Sequence, residues 1–137
     1  MEFPIEASCQ CGQVKYSLKA APKMVVACHC QACQKLATSP FSITGIVASE
    51  DIEFSGKLNE WTRTADSGNS NTAAFCPGCG NRIYHYNPQD LSTVKLKLKP
   101  MGLSDDSLFK PTAHFWVCEK LDWVEIPDGV KQFDKQP

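Results

Sequence analysis

Residues 92–100 read Ser-Thr-Val-Lys-Leu-Lys-Leu-Lys-Pro, "STVKLKLKP", and this stretch decides the fold class. Val94, Leu96 and Leu98 alternate with Lys95, Lys97 and Lys99, a periodicity that a strand satisfies and a helix does not. On this pattern the lysines form a solvated strand face or a charged, protected sheet edge, with an anion-attracting surface as the less favoured reading. Similar segments recur on both sides of it. "QVKYSL" (13–18) sets Val14, Tyr16 and Leu18 against Lys15 and Ser17, and "SPFSITGIV", "DIEFSG", "RIYHY", "HFWVCEK" and "DWVEI" add further apolar or alternating runs. Gly, Pro, Asn and Asp punctuate the segments, which predicts a mainly β protein built from small antiparallel sheets. Helical signal is confined to a turn or two around Cys33 to Ala37, stopped by Ser39-Pro40. "TRTADSGNSNTAA" (62–74) reads as the most loop-like stretch, and the tail "PDGVKQFDKQP" as a surface or fraying segment. With no repeat and no linker, residues 1–137 read as a single domain.

Composition narrows the function classes. The chain is 42% hydrophobic and 21% charged with a formal net charge of −1, so it lacks the basic excess of a generic nucleic-acid binder. No apolar run approaches the roughly 18 residues of a membrane span. "MEFPIEAS" lacks the basic start and apolar core of a secretory signal, and the expected location is cytoplasmic. In that compartment the eight cysteines read as reduced metal ligands before disulfides.

Those cysteines are grouped: Cys9/Cys11, then Cys28/Cys30/Cys33, then Cys76/Cys79 in "CPGCG", with Cys118 alone. The knuckle at Cys76 and Cys79 supplies two ligands and needs another pair to close a tetrahedral structural zinc site. Cys9 and Cys11 can provide it, although spacing alone also permits their pairing with the central triplet, or buried thiols without metal. In the first arrangement Cys28, Cys30 and Cys33 are left one ligand short, as catalytic zinc sites are. A three-thiolate zinc is a weak Lewis acid suited to capturing another thiol. The alternative is a second structural site closed by Cys118, His29, His85 or His114.

The bland expectations for the remaining side chains are these. His29, between two ligands on extended chain, points away from the metal to the surface or to a supporting position. His114, Trp116 and Cys118 share one face of a strand, with Cys118 a buried reduced thiol; His85 is structural, and Phe41 and Trp61 are core, with lining of a pocket as the less favoured reading. Lys35, close behind Cys33, is the candidate for binding substrate.

The succession "CQCGQVKYSL", "CHCQACQK", "FSGKLNEWTRTADSGNSNTAAFCPGCGNRIY" and "PTAHFWV…LDW" resembles the glutathione-dependent formaldehyde-activating enzyme family, which includes centromere protein V relatives. The resemblance runs from about Ser8 to Trp123. It implies a zinc-bearing β-tent, a structural zinc on Cys9, Cys11, Cys76 and Cys79, and a second, active-site zinc on Cys28, Cys30 and Cys33 that is prone to partial occupancy. The activity it implies is that of a carbon–sulfur lyase: reversible joining of formaldehyde and glutathione as S-(hydroxymethyl)glutathione. Glutathione or a related thiol is then the partner, with no nucleic acid or membrane; the centromere protein V relatives suggest a non-catalytic zinc-stabilised binding module as the alternative. Members commonly follow the triplet with basic residues and then glycine. This chain has Gln34, Lys35 and Thr38 there, losing one positive charge and some backbone freedom.

Overall fold

A computed structural model describes residues 2–137 and shows the mainly β architecture that the alternation predicts. Strands β1 (Ile5–Ser8), β2 (Lys15–Leu18) and β5 (Ile52–Ser55) form a small antiparallel sheet in the order β1-β2-β5. The other strands are β3 (Met24–Cys28), β4 (Ser42–Ala48), β6 (Asn59–Thr64), β7 (Ser70–Phe75), β8 (Arg82–Asn87), β9 (Asp90–Leu96), β10 (Ala113–Phe115) and β11 (Lys131–Gln132). They make one sheet in the order β11-β10-β3-β4-β9-β8-β7-β6. This larger sheet is mixed, because β10 lies parallel to both β3 and β11. The long connection from β3 to β10 makes a parallel pairing available where a tight hairpin would not. Among the described residues no helix is long and apolar enough to cross a membrane.

Alternation sets the core. Ile5, Tyr16, Leu18 and Ile52 from the small sheet pack with Val25, Val47, Val94 and Leu96 from the larger one, and Phe109 joins them. Each such side chain, fully buried, contributes about 1.5–3 kcal/mol. Tyr16 keeps its hydroxyl satisfied inside by donating to the Leu98 carbonyl at 2.7 Å. A second cluster of Cys9, Val14, Cys76 and Ile83 lies where the two sheets meet.

Several expectations need correction. β9 is no edge, since β4 and β8 flank it, and Lys95 and Lys97 are part-buried; only Lys99 is exposed. Most of the stretch 62–74 is strand, with only residues 65–69 forming the turn of the β6–β7 hairpin. "DWVEI" is not a strand. β10 stops at Phe115 because Trp116 turns left-handed (φ 59°), so His114, Trp116 and Cys118 share no strand face, and Cys118 is exposed. The tail does not simply fray: β11 pairs with β10, and Trp116 and Val117 N–H groups donate to the Lys135 and Phe133 carbonyls.

Helix α1 (Gln31–Ala37) agrees with the expected turn or two. It ends at Thr38, which is left-handed (φ 48°) and donates its N–H to the Gln34 carbonyl. That conformation suits glycine and costs a β-branched residue roughly 1–2 kcal/mol. After the extra chain entropy of glycine is set against this relief, Thr38→Gly is expected to raise unfolding free energy by about 1 kcal/mol. Chemical denaturation checks this, and a destabilised variant would contradict the strain argument.

Candidate metal centres

Two groups of thiols converge. The Sγ atoms of Cys9, Cys11, Cys76 and Cys79 all lie within 4.8 Å of one another, as do those of Cys28, Cys30 and Cys33. Of the pairings spacing left open, Cys9/Cys11 with the knuckle is therefore the one adopted.

The first group fits a four-coordinate metal. Cys9 and Cys11 sulfurs are 3.7 Å apart and Cys11 and Cys76 3.6 Å. A zinc tetrahedron with bonds of about 2.3 Å has sulfur–sulfur edges of ~3.8 Å. Donors surround it, as a thiolate set requires: the Val14 N–H reaches Cys9 Sγ at 3.4 Å and Gln13 Nε2 reaches Cys76 Sγ at 3.2 Å. A Cβ at Gly78 would sit 3.4 Å from Cys11 Sγ and 3.6 Å from Cys76 Sγ, so glycine leaves the cradle free for the sulfurs. Cys9 comes from the end of β1 and Cys76/Cys79 from the β7–β8 connection, so this group ties the two sheets together.

The triplet forms where β3 runs into α1. Cys28 ends β3, and Cys30 is the extended N-cap of α1 (φ −61°, ψ 151°), its sulfur accepting from the Cys33 N–H at 3.3 Å. Extended chain sends Cys28 and Cys30 to one side and His29 to the other. His29 is accordingly turned away, but it is fully buried rather than superficial: its Nε2 lies 2.8 Å from His114 Nδ1, and its ring packs on Phe41. His85 is bound to Arg82, so none of the three histidines joins the sulfurs, and neither does Cys118. Among the described residues no His, Cys, Asp or Glu completes this group.

Electrostatics within the triplet are unequal. Sulfur contacts with Cys28 and Cys30 hold the Cys33 thiol well below the usual range against the opposing pull of burial, and the Lys97 charge adds to them. Cys28 is pushed up, first by Cys30 and Cys33 and then by burial. Three thiols this close cannot all ionise unless a cation sits among them, which is the condition a metal meets. Lys97 Nζ supports the ionised sulfur from 3.9 Å while donating to Thr44 Oγ1 at 2.7 Å and contacting Ser42 Oγ at 3.3 Å.

The sulfurs open on a cavity of about 720 Å³, the size range of small-molecule sites. Strand register lines it up: Trp61, Ala73, His85, Lys95 and Ile46 are successive cross-strand partners on one face. Lys35 borders it from α1, and the half-exposed Trp61 from β6, so the pocket-lining reading of Trp61 holds and the core reading does not. Gln34 does not: its Nε2 donates to the His29 carbonyl at 2.8 Å and the Glu119 carbonyl at 3.0 Å, pinning the helix to the chain after β10. Arg82 is the site residue that sequence reasoning did not name; Lys97 enters the site by the less favoured of its two readings, and His85 borders the cavity without being a ligand. Period-two spacing does place Lys95 and Lys97 opposite the core, but it says nothing of what covers that side.

The family model for glutathione-dependent formaldehyde-activating enzymes matches residues 4–119. The chain belongs to that family. Thiols and a small-molecule cavity are thus the features by which this formaldehyde-activating enzyme family member is to be read. A crystal structure of a Rhodobacter sphaeroides protein is similar, with a TM-score of 0.53 at 15% identity over 94% of this chain and 99% of that one; at such identity the likeness concerns fold alone. No curated protein matches the chain.

Proposed function

We propose that the protein is a zinc-dependent carbon–sulfur lyase that reversibly joins formaldehyde to glutathione or a closely related thiol, with residues 1–137 working as one cytoplasmic domain. The observation that carries this reading is the contrast between the two thiol groups: four sulfurs form a complete set, and three face a cavity without a fourth. Cys9, Cys11, Cys76 and Cys79 would hold a structural zinc, and Cys28, Cys30 and Cys33 a second one. When bound there, zinc supplies a thiophilic centre that lowers the pKa of a substrate thiol, ordinarily near 8.5.

The reaction itself asks little of the protein beyond placement. The sulfur electron pair forms a bond to the carbonyl carbon, the π pair of the aldehyde moves to oxygen, and the thiol proton ends on that oxygen. The residues of the chain contribute position and charge. Lys97, held by Thr44, keeps a positive charge beside Cys33, and Lys35 borders the same cavity as a candidate substrate contact. Holding two reactants together in such a cavity removes much of the entropic barrier to their joining.

The test is exchange spectroscopy by NMR on zinc-loaded protein with glutathione and formaldehyde. Interconversion of glutathione and S-(hydroxymethyl)glutathione is expected to exceed the spontaneous rate in proportion to protein concentration. A rate independent of protein, at two zincs per chain, defeats the proposal.

A further inference from the structure

Positive charge in the cavity comes chiefly from the sheet. Arg63 on β6, Arg82 on β8, and Lys95 and Lys97 just beyond it on and after β9 all line the cavity and are part-buried. Burying cations without counter-ions is costly, so such clusters normally carry carboxylate partners. Here they do not: among the described residues the only ion pair is Lys19–Glu53, on the small sheet. Asp66 and Glu119 border the same cavity, yet neither pairs with any of the four cations.

Lys97 is accounted for by Cys33, Ser42 and Thr44. The other three are not. Arg82 is oriented by a neutral group, its Nη1 lying 3.0 Å from His85 Nε2, while its guanidinium sits over the Trp61 ring at 5.9 Å. His85 is kept neutral because burial, followed by Lys97 and Arg82, pushes its pKa down to about 3. Arg82 is thus aimed without being neutralised. Burial lowers the Lys95 pKa, with Lys97 adding to it, and burial and then Arg63 lower that of Arg82. Burial is the larger cause in both, with repulsion from a neighbouring cation second, and the Cys33 sulfur opposes each shift.

An orphaned acceptor lies beside them. Asn71, the cross-strand partner of Arg63, also lines the cavity, and its buried Oδ1 has no hydrogen-bond donor. A buried acceptor without a donor is uncommon enough to need a reason. A ligand N–H would supply one.

We propose that Arg63, Arg82 and Lys95 form a carboxylate-binding wall, and that Asn71 Oδ1 accepts a ligand N–H, so that the site selects acidic, amide-bearing thiols. This rests on the reading of the triplet as a thiol-binding centre. It moves anion recognition from α1, where Gln34 is a structural tie, to β6, β8 and β9. Paired recognition of a carboxylate and an adjacent N–H is what distinguishes a peptide thiol from a simple alkyl thiol.

Calorimetry on the zinc-loaded protein tests this with S-methylglutathione, whose sulfur is blocked, and with its dimethyl ester, whose carboxylates are masked. The acid is expected to bind at least tenfold more tightly than the ester. In the double variant Arg63→Gln/Lys95→Gln the acid should weaken at least tenfold and the ester hardly change, with zinc content equal to wild type. Lys95→Arg in an otherwise wild-type wall should retain most of the affinity, and KM for glutathione should rise in the double variant with kcat within about threefold. Equal binding of acid and ester, or equal weakening of both in the variant, overturns the wall. The two proposals separate cleanly. Charge-dependent binding of S-methylglutathione without accelerated adduct formation leaves the wall standing and removes the lyase reading. Accelerated adduct formation with KM unchanged in the double variant does the reverse.

Discussion

Cys76→Ala is expected to leave the protein unfolded at 25 °C. Cys76 is fully buried at the meeting of the two sheets, with Cys11 Sγ 3.6 Å and Gln13 Nε2 3.2 Å from its sulfur. Under the two-zinc proposal it is one of four thiolates in a closed site, and losing one ligand of a structural set releases the metal. Structural zinc in small domains contributes about 10–16 kcal/mol, which matches or exceeds the roughly 5–15 kcal/mol by which a whole domain is stable. The core that Ile5, Tyr16, Leu18 and Ile52 share with the larger sheet remains, but it does not offset a loss of that size. Far-UV circular dichroism should show no cooperative melt, and chelation of the wild type should produce the same spectrum. A variant that melts cooperatively within a few degrees of wild type would mean that apolar packing, not metal, joins the sheets.

Cys30→Ser has the opposite profile: fold retained, chemistry lost. The Cys30 sulfur accepts the Cys33 N–H as the N-cap of α1, and serine is among the best residues for that task. The substitution thus preserves the helix start while replacing a soft ligand by a poor one for zinc. Zinc should fall from two per chain to one with a cooperative melt intact. Since capturing and positioning the substrate thiol can supply several kcal/mol and each 1.36 kcal/mol is tenfold in rate, adduct formation should slow by about 100-fold or more. Accelerated turnover that survives loss of the second zinc would place the chemistry elsewhere.

Much of this was readable in the sequence, for identifiable reasons. The core face of β9 followed from the alternation of Val94 and Leu96 with lysines, because period two fixes which side chains share a face. What covered the other face did not follow, and so Lys95 and Lys97 read as solvated when the cavity takes them in. Cysteine spacing gave the groups, but only the fold could bring Cys11 to Cys76, which are 65 residues apart. The β6–β7 hairpin was misread because β6 is an exposed edge strand, so its polar residues carry no apolar alternation to betray it. The end of β10 was invisible as well, since nothing local in "HFWVCEK" announces a left-handed tryptophan.

The strand order also bears on how such a protein can change over generations. The cavity sulfurs come from one short segment, residues 28–33, whereas the strands β6, β8 and β9 that build the opposite wall span residues 59–96. Drift in the second segment can therefore alter which molecules are accepted while the first stays untouched. A lineage built this way is free to explore new ligands without first surrendering its thiol triplet.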